Sequence, residues 1–417
     1  MLETAAPKFT TFSDWRSWVH TSGLQPIVVV AGSRGKTIVG DYLEAMLREA
    51  GLSVAFWSSN GVDIEGVRQR GELGPWQDVE QRLANGTLDV AIREVDWATA
   101  ATLATGPRLP MLGVTNVCAN REDCVAAGDA MLANAAMPAL LTAVVGQGWL
   151  VLNGEDLAVS ADLAGTSHNR LLVTMGLDSP AIEHHLQNSG NLAWLADDQL
   201  LVAIYGQAVE LGSRFSIPSA LDGVANFQVF NALMAAALAR VMGITPAAIR
   251  RALGKYASDP DISPGSFNIL STGNTVLILD QPAGSWYLRP VLRALRDYHR
   301  ARLLTVFSGL RGTLREDTAE IGRLLGRISN ILIVSDDEPD DAERIELAMD
   351  GARRNEVPPL LIPVTSEVEG VRRAMGLARH RDVIYVLSDD TAALWESLKQ
   401  LGPLVQLGAA TRVLPAD

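Results

Sequence analysis

The chain has 417 residues, of which 48% are hydrophobic and 20% charged. This length exceeds one average domain of ~100 to 200 residues, and the composition supplies a full core, which excludes a disordered chain. Its 48 acidic against 35 basic side chains leave a formal net charge of −13. Coating nucleic acid or a membrane surface needs a basic patch, so we expect small-molecule partners, with no nucleic acid and no membrane.

The N-terminal residues and the cysteines point to the cytoplasm. Residues 1–10 lack the charged-then-apolar pattern of a signal peptide, and no apolar run reaches the ~18 to 20 residues of a membrane span. Cys118 and Cys124 are spaced too widely for a CxxC redox pair and lack neighbouring zinc ligands. We expect both to be buried thiols in a reducing compartment.

The first half of the chain predicts an α/β sheet. Ile27–Ala31 is a β-branched run, followed by a Gly-rich turn and by helical spacing from Ile38 to Ala50. Short apolar runs without polar alternation, typical of buried parallel strands, follow at 54–57, 90–92, 111–115 and 149–152. Residues 192–211 predict a hairpin with Gly206 at its turn, and 227–242 an alanine-rich helix, after which Pro246 begins a shorter one.

A domain boundary is predicted where Pro, Asp, Ser and Gly cluster at 257–265. Beyond it, strands at 275–279, 303–307 and 331–334 alternate with helices at 288–298 and 317–328, and a last strand at 383–387 precedes a C-terminal helix. This alternation is typical of a doubly wound sheet. We therefore predict a mostly parallel α/β domain over 1–257 with a phosphate loop, and a smaller Rossmann-like α/β domain over 258–417.

Residues 32–37 read GSRGKT, between the first strand and the first helix. In such a turn Gly32, Ser33, Arg34 and Gly35 can point backbone N–H groups at phosphate oxygens, and the helix N-terminus adds partial positive charge. Lys36 would reach the β- and γ-phosphates of ATP, and the Thr37 hydroxyl would bind Mg²⁺. The full GxxxxGK[ST] form would have Gly where Val30 stands, so the other interpretation is a plain strand-to-helix turn.

The shorter loop resembles that of the Mur ligase superfamily. The similarity continues through several stretches and covers roughly residues 25 to 400, and it resembles most the Mur-type C-terminal module of cyanophycin synthetases. The matching stretches are VVVAGSRGKT, GELGPWQDVEQRL, LDVAIREV, GVTNV, LVLNGEDL and NFQVFNALMAAALA. The resemblance implies that ATP activates a carboxylate as an acyl phosphate, which an amine then attacks, with Mg²⁺ and cationic side chains stabilising the transferred phosphoryl group.

Relatives of this kind place a second metal site at a strand-end Glu and at a His after the TN motif. Glu94 fits the first position and, with Thr37, would hold Mg²⁺; the alternative for Glu94, and more so for Asp96, is solvated charge at a strand end. Asn120 and Arg121 stand where Asp and His are expected. Arginine does not bind Mg²⁺, so Arg121 would instead supply positive charge to a phosphate. The family's carbamoylated lysine has no counterpart, since no lysine lies between Lys36 and Lys255.

In the second domain the resemblance assigns Asp280, Arg311 and Arg315 to the nucleotide pocket, while Ser266 replaces the arginine of a PGR motif. For Asn231 two roles are open, a polar residue in a first helical turn or an adenine contact. The two domains are expected to close on nucleotide about residues 257–265 and so to exclude water.

Three functions follow from this pattern. The first is an ATP-dependent amide ligase that joins a small acid to a small amine. The second is a catalytically degenerate nucleotide-binding protein that regulates or accompanies another ligase, because several family residues are replaced. The third is a phosphotransferase or ATPase with a different acceptor. The sequence does not identify the acid or the amine, and it leaves open whether the chain forms a homo-oligomer.

Overall fold

A computed structural model of the chain describes residues 8–69, 73–103, 106–117, 127–156, 168–271, 275–298, 301–308, 314–335, 342–400 and 404–406. These residues form two compact units. Unit 1 lies within Met1–Ala119, Gly128–Ser216 and Gln228–Tyr256, and unit 2 within Asn120–Ala127, Ile217–Phe227 and Ala257–Asp417. Residues 217–227 group with the second unit, which resumes at Ala257; the predicted domain boundary at 257/258 stays a prediction.

Unit 1 is built on one large, mostly parallel sheet, as predicted. Its central strands β1, β2, β5, β6, β7, β8 and β9 pair in parallel, while β3 and β4 on one side and β10 and β11 on the other add antiparallel hairpins. The order across the sheet is β11-β10-β9-β8-β7-β6-β1-β5-β2-β3-β4. The strands are β1 Ile27–Ala31, β2 Val54–Ser58, β3 Gly61–Ile64, β4 Val67–Gln69, β5 Val90–Val95, β6 Leu109–Val114, β7 Val144–Asn153, β8 Asn169–Thr174, β9 Asn191–Ala196, β10 Gln199–Ile204 and β11 Gln207–Ser213.

Helices cover both faces of this sheet, which explains why its central strands are apolar throughout. The helices are α1 Phe12–Thr21, α2 Lys36–Glu49, α3 Leu73–Asn85, α4 Trp97–Ala100, α5 Ala127–Ala143, α6 Pro180–Gln187, α7 Asn226–Val241 and α8 Pro246–Lys255. Val29 and Ala31 of β1 share a core with residues of α3 and α5. On the opposite face Gly40 of α2 lies against the Phe56 ring, and Gly113 of β6 lies against Leu238 of α7.

Unit 2 has a second, smaller sheet in the order β16-β15-β14-β17-β13-β12-β18. Its strands from β13 to β17 pair in parallel, and β12 and β18 add an antiparallel edge. The strands are β12 Asn268–Ser271, β13 Val276–Asp280, β14 Leu303–Phe307, β15 Ile331–Ser335, β16 Leu360–Val364, β17 Val383–Leu387 and β18 Val405–Gln406. The helices are α9 Ser285–Asp297, α10 Arg315–Ile328, α11 Ala342–Arg353, α12 Glu367–Leu377 and α13 Thr391–Leu398.

Two separate apolar clusters in unit 2 show that its sheet is also covered on both faces. One joins the sheet to α9, α10 and α11, and the other joins it to α12 and α13. The unit is therefore the Rossmann-like α/β domain that the strand and helix alternation predicted. Among the described helices, none combines the length and the apolar character needed to cross a membrane.

Candidate functional site

The phosphate loop lies between the buried strand β1 and the first turn of α2. Gly32 has φ +144° and Gly35 has φ +84°, backbone conformations that L side chains rarely adopt. A Cβ added to Gly32 would lie 2.0 Å from Thr115 Oγ1, so that glycine is required by space as well as by conformation. Since the first N–H groups of a helix have no intrahelical acceptor, those of Lys36 and Thr37 at the start of α2 can bind an anion.

The residues after β6 hold the loop in shape. Asn116 accepts from the Arg34 amide at Oδ1 (3.1 Å) and donates from Nδ2 to the Arg34 carbonyl (3.0 Å), while its own carbonyl accepts from the Ser33 amide (2.9 Å). Thr115 Oγ1 donates to the same Arg34 carbonyl at 2.6 Å. The loop is therefore preorganised by the chain itself, which reduces the cost of ordering it when a ligand binds.

Three predicted site residues meet at the end of the loop. Lys36 Nζ donates to the Gly32 carbonyl at 2.9 Å and lies 3.8 Å from Glu94 Oε1. Thr37 Oγ1 donates to Glu94 Oε2 at 2.8 Å. The Lys36 and Glu94 side chains are only 14% and 9% exposed, so the cation and the carboxylate are held close together with little water between them.

This arrangement suits a divalent cation beside a phosphate. A hydroxyl and a carboxylate in direct contact are oxygen ligands of the type that Mg²⁺ takes, together with waters and substrate phosphates. Among the residues that the structure describes, no group of three or more His, Cys, Asp or Glu side chains is placed to hold a metal. The assignment of Mg²⁺ to Thr37 and Glu94 stays a prediction, supported by their direct contact at 2.8 Å.

Asp96, two residues after Glu94, has a structural role. Its side chain is exposed and accepts from the Thr99 amide at 2.6 Å, which caps the N-terminus of α4. The next residue, Trp97, donates from Nε1 to Ser33 Oγ at 3.0 Å. The strand-end motif thus places one carboxylate beside Thr37 and uses the second to position a helix that supports the loop.

Helix α7 contributes a polar face to the same loop. Asn231 is buried, and its Oδ1 lies 2.7 Å from the position that a Cβ on Gly35 would take. Gln228 is one turn earlier, and residues three apart share a helix face. The Gln228 side chain is fully buried, and neither of its amide atoms has a hydrogen-bond partner among the described residues. Buried amides without partners are rare in native proteins, so Gln228 is a candidate ligand contact.

The predicted residues of unit 2 are only partly within the described chain. Asp280 ends β13, where its Oδ2 accepts from Tyr385 Oη at 3.1 Å. Arg315 begins α10 and is exposed, in an ion pair with Glu343 of α11. Arg311 of unit 2, and Arg121, Cys118 and Cys124 from the segment after β6, lie outside the described residues. The assignment of Asp280, Arg311, Arg315 and Arg121 to the nucleotide remains a prediction, as does the adenine contact of Asn231.

Sequence reasoning did not assign Thr115, Asn116 and Gln228 any role at the site. The GVTNV and NFQVFNALMAAALA stretches contain them, so the signal was a polar residue inside an otherwise apolar segment. The main-chain atoms that Thr115 and Asn116 bond, and the burial of Gln228 on the helix beside the loop, could be seen only once β6 and α7 were placed.

No protein-family model matches the chain, but curated proteins do. A cyanophycin synthetase of a Synechocystis species is 24% identical over 392 residues, which cover 91% of this chain and 44% of that protein. The UDP-N-acetylmuramoyl-L-alanyl-D-glutamate–2,6-diaminopimelate ligase of Aquifex aeolicus is 26% identical over 179 residues, 42% of this chain and 35% of the ligase. The chain is a relative of the Mur ligases. It spans less than half the length of these two proteins.

Solved structures agree with this relationship at the level of the fold. A bifunctional folylpolyglutamate synthase/dihydrofolate synthase, solved with Mn, AMPPNP and L-glutamate bound, superposes with a TM-score of 0.65 at 16% identity, covering 95% of this chain and 96% of that one. At 16% identity the similarity establishes the two-domain α/β fold of this Mur ligase relative. It does not identify the ligands of this chain.

Proposed function

We propose that this Mur ligase relative is an ATP-dependent amide ligase, which activates a carboxylic acid as an acyl phosphate for attack by an amine. The observation that carries the proposal is the contact among Lys36, Thr37 and Glu94 at the end of a preorganised phosphate loop. Curated proteins that are similar to this chain are named as synthetases and ligases, which supports the reaction class. We further propose that the protein acts in the cytoplasm on small-molecule substrates.

The residues at the start of α2, together with Glu94, would each have a part in this reaction. The N–H groups at the start of α2 would bind phosphate oxygens of ATP, and the positive end of the helix would stabilise their charge. Lys36 would turn from the Gly32 carbonyl, 2.9 Å away, to the β- and γ-phosphates. Mg²⁺, when bound at Thr37 and Glu94, would neutralise phosphate charge as the phosphoryl group is transferred.

The proposed step balances as a substitution at phosphorus followed by one at carbon. A carboxylate oxygen of the acid forms a bond to the γ-phosphorus, the bond to the β-phosphate oxygen breaks, and ADP leaves. The amine nitrogen then bonds to the acyl carbon, inorganic phosphate leaves, and the amine loses a proton. The site must bring the acid to the γ-phosphate and keep water from the acyl phosphate.

A second function, a nucleotide-binding partner without turnover, is favoured by specific positions of the sequence. No lysine lies between Lys36 and Lys255, and Arg121 and Ser266 stand where relatives of this type have a histidine and an arginine. Either function requires nucleotide at the phosphate loop, and only the ligase requires an acid and an amine.

Measurement of ADP release separates the functions. The purified chain is incubated with ATP and Mg²⁺, alone, with a pool of carboxylic acids, and with pools of acids and amines. The ligase predicts ADP release that requires an acid, and a hydroxamate when hydroxylamine replaces the amine, because hydroxylamine traps an acyl phosphate.

Variants of the loop supply the control for this assay. Lys36→Ala should abolish acid-dependent ADP release, whereas Lys255→Ala, on α8 and paired with Glu49, should leave it unchanged. Nucleotide binding without acid-dependent turnover would support the partner function, and turnover that ignores both pools would support a phosphotransferase or ATPase.

A further inference from the structure

Unit 2 contains a cavity of about 420 Å³ between α9 and α10. Arginines on both helices surround it, Arg289, Arg293 and Arg296 from α9 and Arg327 from α10, and Leu292 and Leu324 form an apolar wall. The volume is within the range of about 300–1,000 Å³ that small-molecule sites occupy. Among the residues that the structure describes, no acidic side chain lines the cavity.

The arginines are only partly neutralised by their neighbours. Arg289 pairs with Glu320 at 3.0 Å, and Arg296 pairs with Asp297 at 2.8 Å. Glu320 is shared, because Arg323 also binds it at 2.7 Å. Arg293 and Arg327 have no ion pair and no side-chain hydrogen bond among the residues that the structure describes. The wall of the cavity therefore carries uncompensated positive charge.

Four arginines so close together lower the stability of the helices and are unusual in an acidic chain. Arg289, Arg293 and Arg296 are spaced by four and three residues on one helix face, where like charges repel. The chain as a whole has a formal net charge of −13, so a wall of four arginines is unlike its average surface. Only Arg296 and Arg327 lie in the last turns of their helices, where the helix dipole favours cations. The dipole therefore does not account for Arg289 and Arg293.

Chain topology places most of the cavity lining towards the amino ends of the unit 2 strands, away from Asp280. Helices that connect parallel strands run back along the sheet, so the C-terminal turns of α9 and α10 lie near the first residues of β14 and β15. Asp280 ends β13, at the carboxyl edge where α/β sheets usually bind substrates. The arginine-lined cavity is thus separate from the edge that holds the predicted nucleotide residue of this unit.

We propose that this cavity binds a small polyanion, a molecule with at least two phosphate or carboxylate groups and an apolar part. Guanidinium groups pair with phosphates and carboxylates through two parallel hydrogen bonds. Arg293 of α9 and Arg327 of α10 supply such guanidinium groups, and the ligand's apolar part packs against Leu292 and Leu324. The proposal does not depend on the ligase function, because no residue of the phosphate loop takes part in it.

Calorimetric titration of the full chain tests the proposal. The probes are inorganic tripolyphosphate and citrate, and the titrations are made in the Lys36→Ala chain so that the phosphate loop does not contribute. We expect one of the two probes to bind and to slow amide hydrogen exchange in 289–298 and 320–328. A preference for tripolyphosphate identifies a phosphate ligand, and a preference for citrate a carboxylate ligand.

Two matched pairs of Arg→Gln substitutions test whether the probe binds in the cavity. Adding Arg293→Gln and Arg327→Gln should weaken the affinity at least tenfold, whereas adding Arg372→Gln and Arg373→Gln, two exposed arginines of α12, should leave it within twofold. If the first pair prevents folding, the single Arg327→Gln change should still weaken binding severalfold. The proposal is wrong if neither probe binds, if exchange in both segments is unchanged, or if the two pairs weaken binding equally.

Discussion

Replacing Gly32 by alanine tests whether the phosphate loop is as tightly built as the structure indicates. Gly32 has φ +144°, and a Cβ there would lie 2.0 Å from Thr115 Oγ1 and 3.1 Å from the Asn116 carbonyl oxygen. Thr115 would have to move, which breaks the 2.6 Å hydrogen bond from its hydroxyl to the Arg34 carbonyl. The perturbation is therefore both conformational and steric.

The expected cost can be estimated from these two parts. Holding alanine in a backbone region that is essentially restricted to glycine costs about 1–3 kcal/mol, and losing the Thr115 hydrogen bond costs about 0.5–1.5 kcal/mol. We expect Gly32→Ala to lower the free energy of unfolding of unit 1 by about 2–4 kcal/mol and to weaken ATP binding, because the loop cannot keep its shape.

Gly51→Ala is the control for a positive φ without a clash, since Gly51 has a φ of +83° and no heavy atom lies within 4 Å of the added Cβ. It should cost about 1 kcal/mol, the backbone strain alone. Both variants are unfolded in urea and followed by circular dichroism, and ADP affinity is measured by calorimetry. Equal midpoints for the two variants, with unchanged ADP affinity in Gly32→Ala, would refute the steric account of the loop.

Three further predictions concern buried polar groups of unit 1. Glu94→Gln should raise the Mg²⁺ concentration required for nucleotide turnover while leaving the circular dichroism spectrum unchanged. An unaltered Mg²⁺ dependence would show that Glu94 is a charged residue at a strand end that does not bind the metal. Gln228→Met removes a buried amide without partners, so it should raise the free energy of unfolding by about 1 kcal/mol and weaken ADP binding. A variant that is less stable and binds ADP normally would show that the amide has an internal partner. Burial, reinforced by the neighbouring Asp63 charge, raises the pKa of Glu44 to about 8. Because the folded state then holds a proton that the unfolded state releases near its ordinary pKa, the stability from this group is present in acid and is lost as the pH rises towards 8. Glu44→Gln should flatten the fall in unfolding free energy between about pH 5 and pH 8, and parallel curves for the two proteins would contradict the shift.

Much of the fold could be predicted because its signals are local. The strands at Leu303–Phe307 and Val383–Leu387 are continuous apolar runs that end at polar or turn residues, and their predicted bounds are those of the structure. Pro246 begins α8, also as predicted, and Thr245 caps the N-terminus of that helix. Gly206 with Tyr205 forms the positive-φ turn between β10 and β11.

The elements that were not predicted have weaker local signals. β12 and β18 are short strands, and β18 lies at one edge of the sheet. β16 forms the other edge, where Pro363 is tolerated. Between β9 and β10 a second turn is formed by Asp197 and Asp198, both with positive φ. This turn contains no glycine, so the sequence contains no signal by which it could be predicted.

The site shows the same division between local and long-range information. The GSRGKT motif identifies Lys36 and Thr37 from six consecutive residues. The contact of Thr37 with Glu94 joins positions 57 residues apart, and the bonds from Asn116 to Arg34 join positions 82 apart. Such pairs depend on the parallel register of β1 with β5 and β6, which no short stretch of sequence specifies.

Direct titration with ATP analogue and Mg²⁺ tests the central claim, that nucleotide binds at the loop of residues 32–37. Wild type and Lys255→Ala should bind with the same affinity, and Lys36→Ala should bind at least tenfold more weakly, which corresponds to about 1.4 kcal/mol. Equal affinity of Lys36→Ala and wild type, or no binding to wild type, would contradict the claim.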